Sequence, residues 1–261
     1  MKRLLVCAAA VGGLAWLNSR QVGIRDAVGV QRLYDRVAGA YDVLVEPYDW
    51  VGGRRLQRRA VSELHLSSGD TVVDLGTGTG WNLPFLAEQV GREGQVIGVD
   101  LSEAMLARAR RRVDAAGFSN VEFIRADLRE YEPPATASGV IAGFALEMVP
   151  EQDAVIRQLV GSLRPGARIA SVGLREPEHW PNWAVRLGSL LNRPFGVNPA
   201  YRDITPWTSI RRHLSEVIVA TSHAGAVYLA VGTIPDHASP TTDLPPDPQA
   251  HIDASGMDSP S

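Results

Sequence analysis

The chain has 261 residues, enough for one α/β domain with a full core and few for two, and its 45% hydrophobic and 21% charged residues exclude wholesale disorder. A formal net charge of -3 gives no overall reason to expect a nucleic-acid partner, and the local arginine clusters (Arg54, Arg55, Arg58, Arg59; Arg108, Arg110, Arg111, Arg112) read as solvated helix faces. One cysteine, Cys7, precludes an intramolecular disulfide or a cysteine metal site, and the six histidines form no H-x-x-x-H or H-E-x-x-H pair, so no metal centre is expected.

Residues 1–20 begin with Met1, Lys2 and Arg3 and continue as an uncharged run to Asn18, broken by Gly12 and Gly13. About 20 apolar residues span a bilayer, and no small-x-small cleavage pattern precedes Arg20. A short anchor, a signal-like segment and a helix packed on the domain all remain open, and the expected location is cytoplasmic with membrane contact through this segment. The domain proper is expected over residues 21–234. Within it, residues 31–64 read as helical, with Leu33, Val37, Tyr41, Leu44 and Val45 recurring near one face.

Strands and helices then alternate. Residues 71–75 read as a strand, 84–90 as a helix, 95–100 as a strand and 102–116 as a helix with Ser102 at its N-cap and Gly117 at its stop. Residues 121–125 and 139–144 read as strands, 153–163 as a helix ended by Arg164-Pro165-Gly166, and 167–174 as a strand. Such alternation implies right-handed crossovers and a doubly wound α/β fold with a mostly parallel, seven-stranded sheet. Residues 176–207 break the rhythm with five prolines and with Trp180, Trp183, Phe195 and Trp207, an insertion suited to covering a ligand. A helix at 208–214 and an antiparallel hairpin, 216–221 with 226–232, close the sheet; residues 235–261, with six prolines and no Lys or Arg, read as a disordered tail.

The chemistry concentrates at Asp74-Leu75-Gly76-Thr77-Gly78-Thr79-Gly80, a glycine turn at the end of the first strand, where open parallel sheets bind ligands. A dinucleotide fingerprint wants a third glycine five positions after the first, but Trp81 stands there; no Gly-Lys-Ser or Gly-Lys-Thr follows for a phosphate loop. An acidic Asp74 and close backbone approach suit the amino-acid end of a cofactor rather than a pyrophosphate. Asp100 ends the next strand at the spacing of a ribose-binding carboxylate, able to accept charge-assisted hydrogen bonds, and it could instead be a neighbour of the helix start at Ser102. Asp127, just past the third strand, is either an adenine-edge acid or a turn residue.

Together with residues 96–106, 125–128 and 163–168, this loop resembles the class I S-adenosylmethionine methyltransferases, in particular the branch of ubiquinone/menaquinone-biosynthesis and phospholipid N-methyltransferases. The resemblance covers residues 31–174. It implies S-adenosylmethionine as cofactor, with Gly76 and Gly78 under the methionine part, Asp100 on the ribose, Leu101 and Met105 near the adenine, and Asp127 with Leu128 at its edge; Asp74 and Thr77 are counted with the cofactor-binding residues. Tyr34 and Tyr41 lie in the segment with which that branch covers the cofactor; they also suit plain core positions. Glu147, after the fourth strand, faces substrate or caps a helix. The branch often starts the fourth strand with an acidic residue, whereas this chain has Ala137-Ser138-Gly139, which places the substrate-side roles in question.

The expected reaction is methyl transfer to a small or lipid-like acceptor, such as a phospholipid amine or a prenylated quinone. With no histidine at the fourth strand to act as a base, the balance tilts towards nitrogen or oxygen acceptors. The alternatives are a catalytically inactive cofactor-binding module and a nicotinamide oxidoreductase. The catalytic residues and the oligomeric state are not legible.

Overall fold

The computed structural model describes residues 27–42, 53–176, 180, 181, 183, 204–222 and 224–236. The apolar segment 1–20, most of the insertion 176–207 and the tail from 237 onward lie outside the described residues, as do Leu44 and Val45. No helix among the described residues is long and apolar enough to cross a membrane.

Seven strands form one sheet: β1 (Thr71–Leu75), β2 (Gln95–Asp100), β3 (Val121–Arg125), β4 (Gly139–Gly143), β5 (Arg168–Leu174), β6 (Ser215–Ser222) and β7 (Val227–Thr233). Their order is β3-β2-β1-β4-β5-β7-β6, and β7 is antiparallel to both its neighbours. Helices α1 (Ala27–Val37), α2 (Gly53–Ser62), α3 (Leu83–Val90), α4 (Glu103–Ala116), α5 (Gln152–Ser162) and α6 (Pro206–His213) pack around it. The expected doubly wound sheet with its closing hairpin is present; the hairpin starts one residue early, at Ser215, and carries a bulge between Ser215 and Ile218 where Glu216 takes a φ of 49°. The stretch read as helical from residue 31 begins at Ala27 and tightens into a 3-10 turn at Ala38–Ala40; α2 is described from Gly53.

The alternation of side chains along each strand divides the core into two layers. Val72 and Val96 point to the layer containing Leu83, Leu86 and Val113 of α3 and α4; Val73, Ile97 and Val99 point to the layer of Ile156, Leu159 and Ile210 from α5 and α6. β1, β2 and β4 are buried on both faces, which is why they read as apolar runs. At the amino ends of the strands, Ser138 donates to Asp70 Oδ1 at 2.5 Å and accepts from Arg164 at 2.6 Å. The departure at Ala137-Ser138-Gly139 therefore sits at the end of the sheet opposite the site, where Asp70 supplies the carboxylate.

The chain reverses direction across the sheet between β1 and β4, and the crevice at that switch point is where a ligand enters. Gly80 marks how tightly the turn after β1 is packed: at φ 78° its ideal Cβ would lie 2.8 Å from Ala109 Cβ and 2.9 Å from Ala109 Cα. Gly80→Ala is expected to lower the unfolding free energy by about 1–3 kcal/mol through overpacking, read as a lower urea midpoint at unchanged slope.

Candidate functional site

The turn from β1 into α3 is built from below. Asp74 is 1% exposed, accepts from Thr77 Oγ1 at 2.7 Å and from Asn82 Nδ2 at 3.3 Å, and so braces the glycine loop from inside. Gly76 and Gly78 take φ values of 67° and 55°. A Cβ on Gly76 would overlap Ala145, whereas one on Gly78 would meet nothing nearer than 4.0 Å and would project into open space. The loop thus offers bare backbone to a ligand, as glycine alone permits.

Opposite it stands the end of β2. Asp100 Oδ2 accepts from the Gly78 amide at 2.8 Å and Oδ1 from the Ser102 amide at 2.9 Å. Each carboxylate oxygen has a further acceptor site, so both ribose hydroxyls could still be bound. Ser102 caps α4 by accepting from Met105 N at 3.2 Å and donates to Asp35 Oδ1 of α1 at 2.5 Å. Asp127 is chelated by Arg129, at 3.0 Å from Nε and 2.7 Å from Nη2.

An open cleft lies between these elements. Of the residues singled out in the sequence, Tyr34, Tyr41, Gly76, Gly78, Asp100, Leu101, Asp127 and Leu128 line it together. Asp74, Thr77, Met105 and Glu147 do not: Asp74 and Thr77 lie behind the loop, Met105 packs with Leu33 and Val37, and Glu147 lies deeper, under the end of β5. Reading the sequence did not bring out Gln31, Ser102, Arg129, Phe144 and Met148 as lining residues. Arg129 could have been found as the cation two residues after Asp127; Phe144, at φ 56°, carries no sequence signal for its left-handed turn.

The wall from α1 is tied down by charge. Arg108 donates to Gly39 O at 3.2 Å and to Asp42 at 3.3 Å; Arg112 pairs with Asp42 at 3.2 Å and donates to the backbone oxygen and hydroxyl of Thr79 in the glycine loop. Arg54 lies 3.7 Å over the ring of Trp81 and Arg58 4.5 Å over Phe85. Several of the arginines read as a solvated face are thus braces for the site.

The acids fall into distinct electrostatic states. Burial pushes both Asp74 and Asp100 up to about 6; donors from Thr77 and Asn82 on one, and from the Ser102 and Gly78 amides on the other, hold the rise back. Asp35 adds to the rise of Asp100, and Asp100 to that of Asp74. Asp127 is held below the ordinary range by the Arg129 guanidinium. Burial would raise Asp42, but hydrogen bonds from Thr79, Arg112 and Arg108 outweigh it. Among the described residues no group of three or more His, Cys, Asp or Glu could hold a metal ion. Among the described residues no cation is set against Asp74 or Asp100, an arrangement that suits a ligand carrying positive charge.

Residues 72–166 match the model of a methyltransferase domain family. The 2-phytyl-1,4-naphtoquinone methyltransferase of Thermosynechococcus vestitus is 33% identical over 150 residues, covering 57% of this chain and 66% of that protein. The demethylmenaquinone methyltransferase of Listeria welshimeri is 29% identical over 156 residues, covering 59% and 65%. The chain therefore spans just under two thirds of the length of these relatives. Among solved structures, a phosphoethanolamine N-methyltransferase of Haemonchus contortus aligns with a TM-score of 0.61 at 15% identity over 79% of this chain and 60% of that one, a likeness of fold.

Fold, cleft and the match over residues 72–166 resemble those of the class I S-adenosylmethionine-dependent methyltransferase domains. Within that class the chain resembles the quinone-biosynthesis branch.

Asp100→Ala is expected to weaken S-adenosylmethionine binding by about 1.5–3 kcal/mol, the worth of hydrogen bonds to a charged group, as read by calorimetric titration. Binding a cation favours the ionised acids, so their pKa values fall on binding and protons are released. Affinity should accordingly decline as pH drops below about 6, the value of the ligand-free Asp74 and Asp100. A pH-independent dissociation constant would mean that neither carboxylate senses the cofactor.

Proposed function

We propose that this chain transfers the methyl group of S-adenosylmethionine to a ring carbon of a prenylated naphthoquinol-type acceptor. The observation that carries the reading is that the family match over residues 72–166 contains the glycine loop, Asp100, Asp127 and Glu147, while the curated relatives are methyltransferases named for quinones. A phospholipid amine was an equal expectation from the sequence, but the amine-methylating neighbour shares only the fold.

The sulfonium methyl of the cofactor is already electrophilic, so the protein's work is alignment and exclusion of water. Holding the two reactants in line can supply about 7–11 kcal/mol of the barrier. Gly76 and Gly78 would admit the methionine part against bare backbone, Asp100 would fix the ribose, and Leu101, Leu128 and Met148 offer apolar surface to the adenine and to the acceptor. Asp127, locked by Arg129, is held as an anion and can accept from the adenine amino group. An acceptor methylated at carbon needs a base as well. The expectation of a nitrogen or oxygen acceptor rested on the lack of a histidine at β4, and Glu147, buried just past β4, weakens that premise.

The test is incubation of the full chain with methyl-labelled cofactor and a panel of reduced naphthoquinols, benzoquinols and phospholipid amines, followed by mass spectrometry. One labelled methyl on a quinol ring carbon is expected; label on an amine, or on no acceptor despite saturable cofactor binding, would remove the quinol reading.

A further inference from the structure

A second polar cluster lies at the carboxyl ends of β4, β5 and β7, beside the cofactor cleft but not part of its lining. Glu147 belongs to the 3-10 turn Leu146–Met148 that follows β4, is 3% exposed, and has no hydrogen-bond partner on either carboxylate oxygen. Its carboxylate fills the notch that Gly173 leaves in β5: a Cβ there would overlap Oε1. Next to it, the fully buried Tyr228 of β7 shares a hydrogen bond of 2.9 Å with Ser171 Oγ and packs at a tilt against Trp207 of α6, 4.8 Å between ring centroids.

A carboxylate sealed from water with no donor is unfavourable by several kcal/mol, and packing alone would be better served by an apolar side chain. Such an orphan is satisfied when a ligand brings the missing donor. Its neighbours point to which ligand: Ala145, Met148 and Val149, on either side of Glu147 in the chain, line the cofactor cleft, so a group bound against the cofactor lies next to the notch. Burial pushes the Glu147 carboxyl up to about 7, with Tyr228 holding the rise back, and the same burial and the nearby Glu147 push the Tyr228 hydroxyl well above its ordinary value. Tyr228 is the titratable group that faces Glu147 among the described residues; Arg175, beyond the end of β5, lies over Trp207 instead.

We propose that Glu147 is the general base for the acceptor, with Tyr228, anchored by Ser171, as the residue that positions it. The inference rests on the quinol reading above. In the step, the quinol O–H proton passes to the Glu147 carboxylate, and the electron density released into the ring forms the new bond from the adjacent carbon to the methyl group. The methyl–sulfur bond breaks with its pair going to sulfur. The ring carbon then loses its hydrogen as a proton to water while Glu147 returns its own proton to the oxygen, restoring the aromatic quinol with one proton released overall. No oxidant or reductant is consumed, provided that the acceptor enters reduced.

The test uses the full chain, saturating S-adenosylmethionine and a short-chain prenylated naphthoquinol kept reduced with dithionite. Wild-type turnover should rise with pH and level off above about 7, because the base must be ionised. Glu147→Gln should lower turnover by about 100- to 10,000-fold and abolish that limb while leaving cofactor affinity unchanged. Tyr228→Phe should move the limb to higher pH, since the nearby tyrosine hydroxyl holds the Glu147 pKa down. Gly173→Ala, which displaces the carboxylate without removing it, should lower turnover at unchanged cofactor affinity. Wild-type rate and limb in Glu147→Gln would overturn the base and leave the quinol reading standing. A wild type that binds cofactor and leaves the quinol unmethylated would overturn both. If Glu147→Gln fails to fold, an unmoved limb in Tyr228→Phe together with full turnover in Gly173→Ala would overturn the base equally.

Discussion

The Asp100 carboxylate joins the parts that make the site. One oxygen holds the Gly78 amide of the glycine loop and the other the Ser102 amide at the start of α4. Ser102 in turn caps α4 and reaches Asp35 on α1, so a single acidic side chain at the end of β2 fixes the loop, the helix and, through one more hydroxyl, the wall over the cleft. The loop cannot close on itself, because its glycines have no side chains with which to anchor it. It is held instead by carboxylates from both sides, Asp74 from inside the core and Asp100 from the strand beside it.

That arrangement has an electrostatic consequence. In the ligand-free protein burial raises the proton affinity of Asp74 and Asp100, with Asp100 adding to the rise of Asp74 and Asp35 to that of Asp100, and the nearby described arginines are engaged elsewhere. Arg108 and Arg112 are spent on Asp42 and the Thr79 backbone, and Arg129 on Asp127. A cationic ligand therefore suits this cleft, because it relieves the repulsion that adds to the rise of both carboxyls. Preorganisation of this kind favours a donor with a sulfonium over an anionic dinucleotide.

The parallel sheet was legible because buried strands carry unbroken apolar runs and the helices between them carry clear stops, such as Gly117 in its left-handed C-cap at φ 78°. The place of Asp100 at the cleft beside the loop was legible from its spacing to the loop. What the sequence did not convey is which side of a residue faces the cleft. Asp74 and Thr77 sit in the motif yet turn inward, since β1 buries both faces and a polar side chain there must find its partner within the core. Arg129 and Phe144 line the cleft because the chain turns back after β3 and β4, and such turns have no periodicity to read. The arginine clusters looked solvated because tertiary partners such as Trp81, 27 residues from Arg54, are invisible to local pattern.

The acids of this site differ less in residue type than in what surrounds them, and the surroundings sort their roles. Asp127, gripped by a guanidinium, is fixed as an anion and suits steady recognition. Asp100, held by two amides, is buried yet retains free acceptor sites, which suits binding of neutral hydroxyls beside a cation. Glu147 has no cation beside it among the described residues, and burial pushes its carboxyl up to about 7 against only the Tyr228 hydroxyl and its own backbone. A group that changes charge near neutral pH is of little use for holding a ligand and well matched to moving a proton. The division between binding at β1–β3 and proton transfer at β4–β7 thus follows from where the fold leaves a carboxylate without a partner, and Gly173 is the residue that makes the space for it.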